Sequence, residues 1–553
     1  MKQYINNQYY PLATAGNAEA ADNEICKTIP YQQTNYFSKT VTDYLDKNEL
    51  LRPFYKYPVS LEGIEEAIEA RKQFPQNRKV LVEELNKQYA DLSISEKTSN
   101  NIQLLAEENT FTITTAHQPN IFTGPLYFIY KILHAVKLAE SLSRQFSQYN
   151  FVPVYYMGSE DADLDELNHI KINGQEYKWN TKQTGAVGRM KVDKAFIELI
   201  DKIEGQIGVE KYGEELTSIF KASYRINATI QQATLELVNA LFSEFGLVVL
   251  NPDNAELKRV FNPVVKKELT QQFSHKVVRQ TLQQLGQHYK VQAGGREINL
   301  FYLIDDRRER IEVRNGKFLI QNTELAFTEE EMLKEVDAHP ERFSGNVILR
   351  GVFQETVLPN IAFIGGGGEL AYWLELKDVF DAVNVPYPVL ILRNSFLLIE
   401  PFEKERINKL GFELKDIFLP KQDLLNKVVK RDTSKQLTLT KETEQAKTFY
   451  QYLKNIAGEI DTTLQHHIDA LETKAVKKLV ELEKKMLRAE RRKFQAEERQ
   501  IHKLKDHLFP NNSLQERTEN VSSFYARFGK ELLQILYKNS PALEQEFTLL
   551  VLP

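Results

Sequence analysis

Two short segments hold most of the side chains in this chain that could do chemistry. The first runs from His117 through Gln118, Pro119, Asn120, Ile121, Phe122, Thr123 and Gly124 to Pro125. The second runs from Ser159 to His169. In the second, Glu160, Asp161, Asp163, Asp165 and Glu166 place five carboxylates within seven residues, followed by Asn168 and His169. Carboxylates this close repel one another unless they are solvated, cap a helix or hold something. They could bind an amine, sugar hydroxyls or a divalent cation, and Asp161, Asp163 or His169 could serve as a general base. The plain alternative is an acidic helix N-terminus, which the helix dipole favours. The spacing is not that of an EF-hand loop, because no glycine stands sixth and no glutamate twelfth.

In the first segment His117 is an acid/base or hydrogen-bonding candidate. Thr123 reads as an N-cap and Pro125 as an early helix residue. With Gly124 and the free N–H groups of the helix start, Thr123 could hold an anion, and Gln118 and Asn120 would line the same loop. The alternative is that Thr123-Gly124-Pro125 only caps the helix and His117 fills space.

A third candidate is Gly365-Gly366-Gly367-Gly368-Glu369-Leu370-Ala371. Gly366, Gly368 and Ala371 meet a relaxed dinucleotide fingerprint. The acidic residue expected after the next strand is missing, however, because Arg393 and Asn394 follow Leu392. Glu369 would also repel a phosphate at the helix start. A pocket for another ligand, walled by backbone and by Glu369, Tyr372 or Trp373, fits better, and a tight turn needing positive φ is the alternative. Just upstream, Arg350, Gln354 and Glu355 share one element, where Arg350 could meet a carboxylate bidentately.

These segments need a frame. Phe111–Thr115 reads as a strand, Leu126–Leu142 as a helix apolar on most of its circumference, and Phe151–Met157 as a second strand, which together make a βαβ unit. Strand-like pieces recur at Gly246–Leu250, Asn360–Ile364 and Tyr387–Leu392, with a helix expected over 369–383. The expected fold class is α/β, a Rossmann-like parallel sheet with helices on both faces. Residues 111–169, 246–270 and 346–400 form the core, with 1–110 a mainly helical part of it. Two insertions interrupt it, a helical one over 170–245 and one over 271–345. In the latter, Asn315-Gly316 between two apolar runs signals a hairpin, and Thr328 with Glu331 a capping box.

After a connector at 401–440, residues 441–507 contain no proline and only one glycine, Gly458. Apolar side chains recur from Phe449, Leu453 and Ile456 through Leu471 and Leu482 to Met486 and Ala489, a heptad seam of about six repeats. A continuous helix of this length would span ~100 Å at ~1.5 Å per residue. The expectation is a protruding coiled coil used for homodimerisation. The alternative is a helix folded back near Gly458 within its own chain. A helical tail closes the chain over 508–553.

Bulk composition narrows the class. The 553 residues are 42% hydrophobic and 27% charged, as expected of a globular protein, and the net charge of −5 argues against a general nucleic-acid binder. The single cysteine, Cys26, excludes an internal disulfide and fits a reducing compartment. The N-terminal residues show no signal-peptide core and no segment reads as a membrane span, so a cytoplasmic location is expected. There is no P-loop, His-Glu-x-x-His or Gly-x-Ser-x-Gly pattern, and the ten histidines do not pair with cysteine at zinc spacing, so no metal site is expected.

At the quoted segments, together with Tyr130-Lys131, Asn299–Tyr302 and Leu508–Arg517, the sequence resembles the cysteine-adding enzymes of bacillithiol biosynthesis, the cysteine ligase (BshC) family. The matching stretches keep the family's order over about 400 residues. The resemblance implies a Rossmann core with two connecting-peptide insertions and a coiled-coil domain that supports a homodimer. It implies a ligase joining the cysteine carboxyl to the amine of glucosaminyl-malate, both small-molecule partners. ATP or ADP enters only by analogy with adenylate-forming Rossmann enzymes. A non-catalytic, nucleotide-binding assembly protein is the rival reading. Three positions depart from the family: His117 stands where glutamine is expected, Ala162 where histidine is expected, and Gly367 where proline is expected.

Overall fold

The computed structural model describes residues 26–553, so the reading of the extreme N-terminus lies outside the described residues. The chain divides into two compact units. One comprises Thr28–Phe396 with Leu514–Thr548, and the other is built mainly from Leu397–Ser513 with Leu549–Pro553.

The first unit is organised by five parallel strands: β1 (Thr110–His117), β2 (Asn150–Met157), β3 (Val248–Leu250), β4 (Asn360–Gly365) and β5 (Val389–Leu392). Their order in the sheet is β5-β4-β1-β2-β3, the Rossmann order in which direction of travel reverses between β1 and β4. All five are buried on both faces, which explains why they read as continuous rather than alternating apolar runs. The relevant helices are α1 (Leu61–Lys72), α2 (Arg78–Gln88), α3 (Tyr127–Gln145), α4 (Ala255–Gln271), α5 (Val347–Val357) and α6 (Gly367–Trp373). On one face of the sheet Phe111, Ile113, Ile361, Ile364, Val389 and Ile391 pack with Ile64 and Ile68 of α1 and Leu138 and Leu142 of α3. On the other, Phe363 stacks on Trp373 at 4.3 Å and Tyr156 meets Phe353, which meets Phe261 of α4 at 5.1 Å.

Two polar clusters inside this core are hydrogen-bonded. The Arg71 guanidinium donates to the Glu355 carboxylate at 2.6 Å and to its carbonyl at 2.7 Å, while Gln354 and Asn360 donate to the same carboxylate. Burial pushes the Glu355 carboxyl up and the Arg71 guanidinium down, against their mutual attraction. The pair therefore adds little net stability, while losing one partner strands a charge. His134 is held in one tautomer: its Nδ1 accepts from Asn394 N–H at 3.1 Å and its Nε2 faces the Ala542 carbonyl at 2.8 Å. Burial lowers its pKa to about 4, so it is neutral and structural.

The first insertion opens with a hairpin, His169–Ile172 with Gln175–Lys178, that helical patterning did not suggest, and continues as helices. The second contains the expected hairpin: Arg314 pairs Lys317 across Asn315-Gly316, whose φ values of 52° and 73° are those of a type I′ turn. Thr328 and Glu331 make the expected capping box. The helix expected over 369–383 is two pieces, Gly367–Trp373 and Lys377–Ala382.

In the second unit the single long helix is corrected to a hairpin. Thr440–Ile460 and Leu464–Arg491 run antiparallel, with Lys454 paired to Asp469 at 2.7 Å, and Gln495–Leu508 follows as a third helix. The reversal is local chemistry. The Asp461 carboxylate accepts from the Thr463 N–H and hydroxyl, both at 2.8 Å, and this Asx-turn ends the first helix. Gly458 is not the hinge; a Cβ there would collide with the Gln465 side chain of the returning helix. No helix among the described residues is long and apolar enough to cross a membrane.

The Arg71–Glu355 pair gives a stability test. Glu355→Ala should cost about 3–5 kcal/mol in urea denaturation, and Arg71→Met with Glu355→Leu together should cost much less. Equal losses in the single and double variants would refute this account.

Candidate active site

A cavity of about 270 Å³ lies at the carboxyl ends of β1 and β4, the switch point of the sheet. The ends of three strands supply its walls. His117 and Gln118 come from the end of β1, Gly366–Glu369 and Tyr372 from the turn after β4 and α6, and Arg393 from just past β5. Tyr127 and Lys131 of α3, Arg350 of α5 and Arg517 complete the lining.

The cations are held by carboxylates mostly outside the cavity. Arg350 donates to Asp161 at 2.8 Å; Gln118 donates to the same carboxylate at 3.1 Å, and Arg308 stands 3.7 Å away. Burial alone would raise the Asp161 pKa, but Arg350, Arg308 and the two hydrogen bonds outweigh it and hold the carboxyl below its usual range. Arg393 donates to Glu516 at 2.8 Å and lies over the Tyr127 ring at 5.1 Å. Lys131, buried in α3, donates to the Ala116 carbonyl and forms an ion pair with Glu369. Arg517 has no ion-pair partner among the described residues. The lining thus carries Lys131, Arg350, Arg393 and Arg517 against Glu369, and even with Asp161 and Glu516 counted behind it the site is positive.

Among the described residues, His117 is the one histidine in the lining. Burial lowers its pKa well below 6.5, and Lys131, Arg393 and Arg350 add to the effect, so the ring is neutral. Its Nε2 has no hydrogen-bond partner. Tyr127 and Phe128 hold the ring at centroid distances of 5.3 and 5.7 Å.

The glycine turn differs from the dinucleotide pattern in a specific way. Glu369 accepts the Gly366 N–H at 2.8 Å, so a carboxylate already occupies the position that a phosphate would take. None of Gly365 to Gly368 has positive φ, so a left-handed turn is not why glycine stands there. A side chain at Gly365 would meet the Phe363 ring at 2.8 Å, and Gly368 faces open space.

Several expected site residues lie elsewhere. Thr123 is not an N-cap: α3 begins at Tyr127, and the Leu126 N–H donates to the Glu519 carbonyl. Phe122, Thr123 and Gly124 all have positive φ, and Asn520 donates to the Phe122 and Gly124 carbonyls. The loop turns there to bury Phe122 among Phe196, Phe220 and Tyr224 of the first insertion. Asn120 is buried beneath that turn. This helix start is therefore a packing device rather than an open anion site. Trp373 and Gln354 are also corrected: one is stacked in the core and the other belongs to the Glu355 network.

The acidic segment disperses. Glu160 pairs with Lys258 and accepts from Ser344 at 3.1 Å, while Lys258 also meets Asp253, which Arg189 grips with two bonds of 2.7 Å. Asp163 is exposed ahead of a four-residue helix. Asn168 is buried, and His169 opens the hairpin with Nδ1 at 3.3 Å from Asn168 Oδ1. Neither Asp163 nor His169 lines this cavity.

Sequence reasoning did not assign roles to Lys131, Tyr127, Arg393 or Arg517. A lysine inside an otherwise apolar helix was the available signal for the first. For Arg393 it was a charge directly after a buried strand, level with the glycine turn, where Arg393 N–H donates to the Gly365 carbonyl.

The parallel sheet and the cation-lined cavity at its switch point define a Rossmann-like α/β protein, here with an additional coiled-coil unit. The chain belongs to the BshC family of bacillithiol biosynthesis. The model of the BshC N-terminal Rossmann-like domain matches residues 25–394, and that of the BshC C-terminal coiled-coil domain matches 396–552. Among its relatives, a protein of Flavobacterium johnsoniae named "Putative cysteine ligase BshC" is 41% identical over 95% of this chain and 99% of its own length. Proteins of the same name from Christiangramia forsetii and Cytophaga hutchinsonii are both 39% identical, over 94% and 92% of this chain and 98% and 96% of their own lengths.

The electrostatics of His117 can be measured directly. Its imidazole resonances should stay those of the neutral ring as pH falls through 6.5, and Lys131→Met should move the titration upward. A midpoint near 6.5 in the unmodified protein would contradict the burial assigned here.

Proposed function

We propose that this chain is a ligase that joins the carboxyl group of cysteine to the amine of glucosaminyl-malate, with the cavity at the switch point as its active site. The observation that carries this reading is a positive cavity next to a neutral imidazole with a free nitrogen. Malate brings carboxylates, and Arg350, Arg393 and Arg517 offer planar donors suited to them. On the activated carboxyl the amine nitrogen would bond to the cysteine carbonyl carbon, the bond from that carbon to the oxygen of the activating group would break with that group leaving on its oxygen, and His117 would accept the proton that the amine loses. Asp161 acts through Arg350, which it orients, because a carboxylate held ionised between two guanidinium groups is a poor base.

An amide does not form from a free carboxylate and an amine in water without activation, so the reading includes an activating co-substrate, for which ATP is the candidate. The glycine turn does not fit its phosphates, because Glu369 fills that place, and no step is assigned to it there. The test is to incubate the protein with cysteine and glucosaminyl-malate, with and without ATP, and look for bacillithiol by mass spectrometry. His117→Ala should lower kcat by about 10²-fold or more. Arg350→Gln should chiefly raise KM for the sugar malate, and Asp163→Asn and His169→Ala should stay near the unmodified rate. No product with ATP present, or full activity in His117→Ala, would defeat the assignment.

The same reading includes a homodimer formed through the coiled-coil hairpin. No residue of its two helices is buried, and Phe449, Tyr452, Ile456, Ile460, Leu471 and Leu482 are exposed, an apolar surface that favours association. Ile456→Glu with Leu471→Glu should give a monomer in analytical ultracentrifugation with helix content intact. A persistent dimer would place the interface elsewhere.

A further inference from the structure

At the opposite, amino edge of the parallel sheet lies a larger cavity, of about 520 Å³. It is lined by Arg71 and Lys72 at the end of α1, Phe74 and Gln76 from the connection, Arg78 at the start of α2, and Phe111 and Tyr149 beside the first residues of β1 and β2, with one carboxylate, Glu108, at its wall. β1 has eight residues, so the two cavities stand roughly 20 Å apart along the strand. One small ligand cannot fill both, and nothing in the catalytic reading uses the second.

Three features mark it as more than a packing gap. Both amide atoms of Gln76 and the Nε of Arg71 are buried without a hydrogen-bond partner, and Arg71 is only 1% exposed. Unpartnered buried polar atoms are costly and native structures keep few of them without a reason. Arg78 donates to the carbonyls of Leu105, Glu108 and Thr110 at 2.9–3.3 Å but has no carboxylate partner among the described residues. Burial pushes its pKa down, and the attraction of Glu108 and the repulsion of Arg71 act on it in opposite directions. The walls are aromatic: Lys72 sits 4.7 Å over the Tyr149 ring and Arg71 5.7 Å over Phe74.

We propose that this cavity is a second ligand site, for a small molecule that carries a carboxylate or phosphate on a flat apolar ring. The anion would lie by Arg78, whose hydrogen bonds go to backbone carbonyls alone, and near the unpartnered Nε of Arg71. The ring would pack against Phe74 and Tyr149. A modest rotation of Gln76 would give its amide a partner on the ligand. The proposal does not rest on the ligase reading.

The probes are benzoate and phenyl phosphate, with inorganic phosphate as the ring-free control, titrated into the full chain by calorimetry and saturation-transfer NMR. At least one ring-bearing probe should bind with a Kd of about 1 mM or tighter and receive saturation on its ring protons. Which of the two binds names the anion. Arg78→Gln should weaken binding about tenfold. Gln76→Leu should weaken it about fivefold while leaving the melting temperature equal or higher, since it removes a buried unpartnered amide. Arg350→Gln, in the other cavity, should change nothing. If Arg78→Gln does not fold, Gln76→Leu decides. Three results would overturn the proposal: no ring-bearing probe binding at about 10 mM, binding unchanged in Gln76→Leu and Arg78→Gln, or binding lost in Arg350→Gln.

Discussion

Asp161 sits where four segments of the first unit meet. Its carboxylate takes a hydrogen bond from Gln118 after β1 and another from Arg350 on α5, with Arg308 of the second insertion close by. Withdrawing a carboxylate from water is expensive, and two guanidinium groups with an amide offset that cost. The arrangement explains why a dense acidic segment is tolerated at a strand end. Asp161 is neutralised by arginines, Glu160 by Lys258, and Asp163, Asp165 and Glu166 remain solvent-exposed. It also decides what the cavity offers. With Asp161 committed to Arg350, the segment supplies orientation, and the imidazole of His117 lines the cavity without a hydrogen bond at Nε2.

Electrostatics across the cavity follow from the same layout. Arg393 is backed by Glu516 and Lys131 by Glu369, so each cation is fixed in position while the lining keeps a positive balance. These charges, together with burial, keep His117 neutral. The backbone contributes a second constraint. Three consecutive residues with positive φ, Phe122 to Gly124, are costly for non-glycine types. The burial of Phe122 in an aromatic cluster and the Asn520 hydrogen bonds offset that strain. The loop that presents His117 is thereby tied to the first insertion, and the insertions serve as supports for the site.

The three departures from the family pattern fall around this layout. His117 lines the cavity in place of the expected glutamine and puts a neutral imidazole there. Ala162 is exposed between residues of the dispersed acidic segment. Gly367 begins α6, and a side chain there would press on Val41 at 3.1 Å.

Local features were legible in the sequence. The strands of the core, helix α3, the Asn315-Gly316 hairpin and the Thr328 capping box follow from periodicity and turn chemistry, which act over a few residues. The order of the quoted motifs carried the family, and the position of His117 and the glycine turn at expected strand ends pointed to the carboxyl edge of the sheet. What only the tertiary structure decided are pairings between distant residues. Asp161 meets Arg350, Arg393 meets Glu516, and Thr123 turns away to anchor Phe122. A run of charges shows that partners are needed, but it does not say which strand end will bring a partner within hydrogen-bond reach. The heptad seam shows the same limit. Its period is identical for one long helix and for two antiparallel helices, and the Asx-turn at Asp461 selects the second.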